Sequence, residues 1–222
     1  LNPGVSLRIL EEPCVYHIDT DELFEINDEA LDFLAGCDGM IRGDSVDHDE
    51  DFVTYCISER IIDVLPEPSF RPVRVIRAAL PSLRFLELQV TSRCNLACLH
   101  CYQGTASAVD LPLEAAVSIV GRLEEMGGLK LLISGGEPML YPPIFELIDE
   151  IAGRSLRRIL ITNGTLIDNR NAQRLSVHEV QVSLDGWKHG HEAVRGAGSF
   201  DRTMRGIESL RAASVPVSIA TT

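Results

Sequence analysis

Three cysteines, Cys94, Cys98 and Cys101, fall within eight residues of a 222-residue chain, in the spacing C-x3-C-x2-C. Three thiolates can each take one iron of a [4Fe–4S] cube and leave the fourth iron without a protein ligand, whereas ordinary electron-transfer cubes use four cysteines. An iron left open is a place for chemistry. Zinc is the competing use of such residues, but structural zinc takes tetrahedral Cys/His sets, commonly in paired C-x2-C units. The fourth ligand would have to be His100, which adjoins Cys101 and would need to fold back, or a distant residue. Cys14, Cys37 and Cys56 are scattered upstream among apolar residues and read as small core or half-buried side chains. The tight trio and the lack of a visible signal peptide predict a reducing, cytoplasmic setting rather than disulfides.

Further along, Gly135-Gly136-Glu137-Pro138, Ile161-Thr162-Asn163-Gly164 and Ser183-Leu184-Asp185-Gly186 combine glycine with polar groups. Each can be a plain turn, since Gly and Pro punctuate loops everywhere. Arg195 has a guanidinium fork that suits a carboxylate, and it suits solvent equally well. His189 and His191 read as solvated or structural, and Trp187 as packing.

The elements that would position these residues follow from periodicity. Strands are predicted over 85–90, 129–133, 158–162, 180–184 and 217–221. Between them lie helical patterns at 112–126 (capped by Asp110), 142–152, 169–175 and 200–213 (capped by Ser199). Strand and helix alternate four times before the last strand, the pattern of a parallel sheet or α/β barrel. Sites in such folds gather at the C-terminal strand ends, where all four motifs stand. The fold class predicted is α/β, a partial (β/α) TIM-type barrel over 85–222. The chain ends at Thr222, before such a barrel could close, and so reads as a fragment of a longer protein.

With an aromatic residue before its last cysteine, this set of motifs resembles the radical S-adenosylmethionine (radical SAM) family. The resemblance covers 85–222 and implies that Cys94, Cys98 and Cys101 bind [4Fe–4S]. It further implies that S-adenosylmethionine chelates the open iron through its amino and carboxylate groups. One electron, from an external donor such as flavodoxin or ferredoxin, then cleaves the sulfonium to methionine and a 5′-deoxyadenosyl radical that takes a hydrogen from substrate. By the same resemblance His100 lies by the adenine, and Gly135, Gly136, Glu137 and Pro138 receive the methionine amino group. Glycines let backbone oxygens approach an ammonium, and Glu137 can orient or charge-balance the site. Asn163 and Ser183 match loops of the peptide- and protein-modifying branch, where the serine meets the cofactor's ribose or carboxylate. Asp185 and Arg195 complete the expected cofactor contacts.

Residues 1–66 differ in character. Strands are predicted at 5–10, 14–19 and 22–26, and helices at 28–35 (after the N-cap Asn27) and 51–57, with a polar loop over 42–51. Residues 67–84, rich in proline, read as a linker with one strand at 73–76. The stretch from Tyr16 to Gly39 resembles the RiPP recognition element, the small α+β, winged-helix-like domain that binds leader peptides in ribosomal-peptide maturation. The resemblance implies a precursor peptide added as a strand to the sheet edge, in a groove between 23–26 and 52–57. The joint expectation is a maturase that installs a thioether or carbon–carbon crosslink. Its rivals are an enzyme acting on a folded protein, of the anaerobic sulfatase-maturation type, and a non-catalytic iron–sulfur protein.

Charge narrows the partners. Of the net −13, residues 1–80 contribute 6 − 18 = −12 and residues 81–222 contribute 14 − 15 = −1. An acidic chain is a poor match for nucleic acid, whose phosphates call for basic partners, and this disfavours a DNA-binding winged helix. It suits a partner of basic character. No apolar run approaches the ~18 residues of a membrane span.

Overall fold

Short strand-forming runs joined by Asx-rich turns open the chain. Val5–Ile9 (β1) pairs antiparallel with Pro13–His17 (β2), and β2 with Glu22–Glu25 (β3). Asp21 takes a left-handed φ of 68° in the second turn, and its carboxylate accepts the Tyr16 hydroxyl at 2.9 Å. Asn27 caps Asp28–Gly36 (α1) by accepting the Ala30 N–H at 2.8 Å, as its type predicts. The computed structural model describes residues 1–41, 49–104 and 108–222. Most of the loop predicted over 42–51 therefore lies outside the described residues, while Asp49 caps Glu50–Ser58 (α2).

The stretch 67–84, read from sequence as a linker with one strand, does carry that strand. Val75–Arg77 (β4) runs parallel to β1, giving the sheet order β3-β2-β1-β4. Leu7, Val15, Leu31, Leu34, Cys56 and Ile61 form the core of this unit, which spans Leu1–Arg84 and Leu123–Leu129. Among the described residues, β3 is left as a sheet edge.

In the second unit, Phe85–Arg122 and Lys130–Thr222, the strands are Phe85–Gln89 (β5), Lys130–Ser134 (β6), Arg157–Thr162 (β7), Glu179–Ser183 (β8) and Val217–Ala220 (β9). They lie in sequence order and all pair parallel. Each crossover therefore returns the chain beside the strand it left, as in an α/β barrel. The connecting helices are Leu113–Glu125 (α3), Ile144–Glu150 (α4), Asn169–Ala172 (α5), Lys188–Arg195 (α6) and Ser199–Ala212 (α7).

One face of this sheet is apolar and buried through Leu88, Leu131, Ile133, Leu160, Val180 and Val182. The other face carries Glu87 and Gln89, exposed, and Gln181 and Ser183, half-buried. The same face carries Phe85, Leu132, Ile159 and Ile161, so it is mixed, whereas parallel sheets ordinarily bury apolar residues on both faces.

Three sequence expectations change. Asp110 lies outside α3, three residues before Leu113. Ser199 is the first residue of α7, and Gly198, in a left-handed conformation, holds the cap position. Trp187, expected in the packing, is 87% exposed. α6 went unpredicted because its buried side chains are His191 and Arg195, which leave no apolar stripe to read.

Candidate functional site

The segment leaving β5 is tied down at nearly every step. Val90 donates to the Ser134 carbonyl at 2.9 Å, and the Thr91 hydroxyl to Asp110 at 2.6 Å. Arg93 pairs with the same aspartate at 2.8 Å. These are the contacts Asp110 makes ahead of α3. Asn95 donates to Thr165 at 2.8 Å and accepts from Asn163 at 3.0 Å, which joins the cysteine loop to the loop after β7. The Leu99 N–H meets the Val194 carbonyl of α6 at 2.9 Å. Past the last cysteine, Tyr102 and Gln103 both hydrogen-bond Gln89 of β5.

Against this fixed backbone, Cys94 and Cys101 are exposed, Cys98 is half-buried, and all three thiols are free. Partial desolvation pushes the Cys94 and Cys98 thiols up, so loading a metal there must release protons. Among the described residues no group of three His, Cys, Asp or Glu is placed to hold a single metal ion. Three free, accessible thiols on a pinned loop fit the cluster.

The Gly135–Pro138 loop lies on the backbone just ahead of Cys94. Gly136 donates to the Thr91 carbonyl at 2.8 Å and Glu137 to the Arg93 carbonyl at 2.7 Å. A Cβ at Gly135 would stand 2.5 Å from the Thr91 oxygen, and one at Gly136 would stand 2.4 Å from the Arg93 oxygen. The glycines therefore allow two backbones to touch, a role distinct from the approach to an ammonium expected from sequence. Glu137 is fully buried, and its carboxylate accepts from Thr162 Oγ1 at 2.7 Å, the Asn163 N–H at 2.8 Å and the Met139 N–H at 3.1 Å. Burial pushes its pKa up and the three donors pull it back. It is a tie between the ends of β6 and β7, not a group presented to solvent. Pro138, also buried, opens the 3₁₀ turn Pro138–Leu140 that Glu137 caps.

Asn163 is buried at the centre of this network. Its side-chain oxygen accepts from both the N–H and the hydroxyl of Thr165, and its carbonyl accepts from Thr203 of α7 at 2.8 Å. Ser183 ends β8 and is half-buried. Asp185, one turn on, is held by Arg195 Nε at 2.6 Å and by the Thr222 N–H at 3.1 Å. Burial would raise the Asp185 carboxyl, but Arg195, Thr222 and, more weakly, His100 hold it below its ordinary value. Arg195 is therefore committed to a carboxylate of this chain. His100 is exposed. His191 is fully buried and accepts the Asp185 N–H through Nδ1 at 3.2 Å.

The structure thus places the cysteine trio, His100, Gly135–Pro138, Asn163, Ser183, Asp185 and Arg195 at one set of strand ends. Sequence reasoning missed Thr91, Asn95, Asp110 and Thr165. Their signal is weak, since each is an ordinary polar residue, and the bonds Thr91–Asp110 and Asn95–Thr165 span 19 and 70 positions of the chain.

The sequence profile of the Radical SAM superfamily matches residues 88–222. The AdoMet-dependent heme synthase of Oleidesulfovibrio alaskensis is 35% identical over 162 residues, 67% of this chain and 40% of that protein. The mycofactocin maturase MftC of Mycobacterium ulcerans is 37% identical over 134 residues, 58% of this chain and 36% of its own length. The chain thus spans about two fifths of the length of these relatives. The crystal structure of Streptococcus suis SuiB bound to precursor peptide SuiA superposes with a TM-score of 0.70 at 16% identity, covering 100% of this chain and 56% of SuiB. At that identity the likeness is one of fold, and it takes in both units.

Proposed function

The chain belongs to the radical SAM superfamily, and from that premise we propose that it is the cofactor-binding part of a maturase acting on a ribosomally made precursor peptide. Cys94, Cys98 and Cys101 would hold [4Fe–4S], the cofactor characteristic of the family, with S-adenosylmethionine at the open iron. When bound, this pair supplies one-electron cleavage of the sulfonium and a 5′-deoxyadenosyl radical able to abstract hydrogen. The protein's part is positional. Asn95, Leu99 and Asp110 fix the loop that presents the thiols, and Gly135 and Gly136 let the next strand end close on it. The mixed face with Glu87, Gln89, Gln181 and Ser183 among Leu132, Ile159 and Ile161 is the surface open to substrate, and the product is a thioether or carbon–carbon crosslink.

The front unit would recruit the leader as a RiPP recognition element-like, winged-helix-like domain. One observation carries the peptide reading. The free edge of β3 borders a groove lined by Phe24, Ile26, Leu34, Phe52, Tyr55 and Ile61. Such an edge offers unpaired N–H and C=O groups to an incoming strand, and the groove offers pockets to its side chains. The mycofactocin maturase among the relatives supports a peptide substrate.

A second reading follows from the heme synthase, which matches more of this chain than the maturase does. In that reading the same sheet face receives a haem precursor instead.

The test is anaerobic reconstitution with iron and sulfide, followed by dithionite and S-adenosylmethionine, scoring 5′-deoxyadenosine. An intact cluster with no product would sink the enzyme reading. Cys98→Ala should lose both cluster and product. A synthetic peptide from a short reading frame beside the gene should bind the front unit, and an iron porphyrin bound in its place would favour the second reading.

A further inference from the structure

Cys94 is held by hydrogen bonds on both sides. Ahead of it, the Arg93 carbonyl accepts the Glu137 N–H at 2.7 Å. Behind it, Asn95 belongs to a ring of three side chains in which each donates once and accepts once. Asn163 Nδ2 donates to Asn95 Oδ1 at 3.0 Å, Asn95 Nδ2 to Thr165 Oγ1 at 2.8 Å, and Thr165 Oγ1 to Asn163 Oδ1 at 2.7 Å. The bonds all run the same way round, an arrangement in which each polarises the next. A longer circuit passes through the same residues. The Glu137 carboxylate accepts the Asn163 N–H at 2.8 Å, so the ends of β6 and β7 together span Arg93, Cys94 and Asn95.

The ring leaves Asn163 little to offer a ligand. Its amide oxygen takes both the N–H and the hydroxyl of Thr165, and its amide nitrogen donates to Asn95. Of its side-chain hydrogen-bonding positions a single N–H remains, on a residue that is 6% exposed. What the ring fixes is the backbone just after Cys94. There the Leu96 N–H donates to Cys94 Sγ at 3.5 Å. That N–H belongs to the peptide joining Asn95 to Leu96, so the anchored Asn95 side chain sets where it points.

Given the cluster reading above, on which this rests, we propose that Asn95 and Asn163 are positioning residues that aim the Leu96 N–H at the Cys94 sulfur, so that Asn163 serves this sulfur rather than the cofactor contact expected from sequence. Partners that orient a metal's ligands matter to a site nearly as much as the ligands themselves. A hydrogen bond draws electron density from a cluster sulfur, and cluster potentials follow such bonds. The Leu96 N–H therefore favours the reduced form.

The experiment is a potentiometric titration of the reconstituted protein without S-adenosylmethionine, read by electron paramagnetic resonance, with the affinity of the loaded protein for S-adenosylmethionine measured beside it. Asn95→Ala and Asn163→Ala should each lower the reduced-to-oxidised ratio about tenfold at a fixed potential, equivalent to a midpoint about 59 mV lower for one electron. The double variant should stay within about twofold of either single one, because both act through the same bond. Thr165→Val opens the ring and should shift the midpoint in the same direction, whereas Thr165→Ser keeps the hydroxyl and should stay within about twofold of the parent ratio. A purely structural role would reduce iron content and leave the midpoint of the clusters that do form unmoved, which would overturn the proposal. Additive shifts would overturn it too. If Asn163 holds the cofactor instead, Asn163→Ala weakens S-adenosylmethionine binding, Asn95→Ala does not, and neither moves the midpoint, and that pattern overturns it as well. If neither alanine variant loads iron, the Thr165 pair decides: a lower midpoint in Thr165→Val alone sustains the proposal, and equal midpoints overturn it. If the unaltered protein takes up no cluster, the cluster reading itself falls, and this proposal with it.

Discussion

Glu137 shows how a buried charge can be structural at the edge of a reactive site. Its three donors are two backbone N–H groups and one hydroxyl, all at strand ends. Glu137→Ala would leave those donors without an acceptor, at about 1–3 kcal/mol for each that water cannot reach. The expected loss is about 3 kcal/mol, measurable as a lower urea midpoint in the cluster-free protein. A loss below about 0.5 kcal/mol, the range of ordinary surface substitutions, would show that the carboxylate faces solvent. His191 sets a pH dependence. Burial lowers its pKa, so the unfolded chain binds a proton near pH ~6.5 more readily than the folded one. Its contribution is complete above about pH 6.5 and is lost as pH falls through the folded value. His191→Gln keeps an acceptor without titrating, so the parent should lose more stability than this variant between about pH 7.5 and about pH 5.5. Glu137 works in the opposite sense, because protonating a carboxyl whose pKa is raised relieves a cost, and it does so equally in both proteins.

Among the elements, the loop after β6 and the loop after β5 touch backbone to backbone. Gly136→Ala would place a methyl 2.4 Å from the Arg93 oxygen and 2.8 Å from the Ser92 oxygen. Neither atom is the end of a flexible side chain, so the cysteine loop must move and iron uptake should drop severalfold. Gly153→Ala, with open space around the added methyl, should load as the parent does. Equal loading by both would show that the contact is not what shapes the loop. The strands and long helices were legible in the sequence because their buried faces are hydrocarbon at a regular period, as with Ala116 and Val120 of α3. The cysteines and the glycine pair stood out in the sequence because their residue types are specialised, but the backbone contact that the glycines make did not. α6 was not, because a face of His191 and Arg195 looks like a solvated one. Nor was the commitment of Arg195 to Asp185, since sequence does not tell an internal carboxylate from a ligand's.

For the whole molecule, the uneven charge separates two duties. The acidic front unit carries the groove, and the nearly neutral second unit carries the thiols. A precursor peptide with basic residues flanking an apolar anchor should bind the front groove, and Phe52→Ala should weaken it about tenfold by calorimetry, as for an anchor worth roughly 1–2 kcal/mol. Raising salt from about 0.05 M to about 0.5 M should weaken the same peptide further, because the Debye length falls well below 10 Å. Salt-insensitive binding would remove the charge from the argument and leave the groove. Among the described residues no helix is long and apolar enough to cross a membrane.

The open edge of β3 has one more effect. An open strand edge is as ready to accept a copy of itself as to accept a leader, and sheet edges are where soluble proteins risk self-association. Glu22 and Glu25 stand exposed at the two ends of this strand. Two such edges brought together would set like charges against each other, while a basic peptide would not. On the proposed function, the acidic ends would favour a basic strand over a second copy of this edge. Glu22→Gln with Glu25→Gln should produce concentration-dependent dimers in light scattering that added leader peptide dissolves.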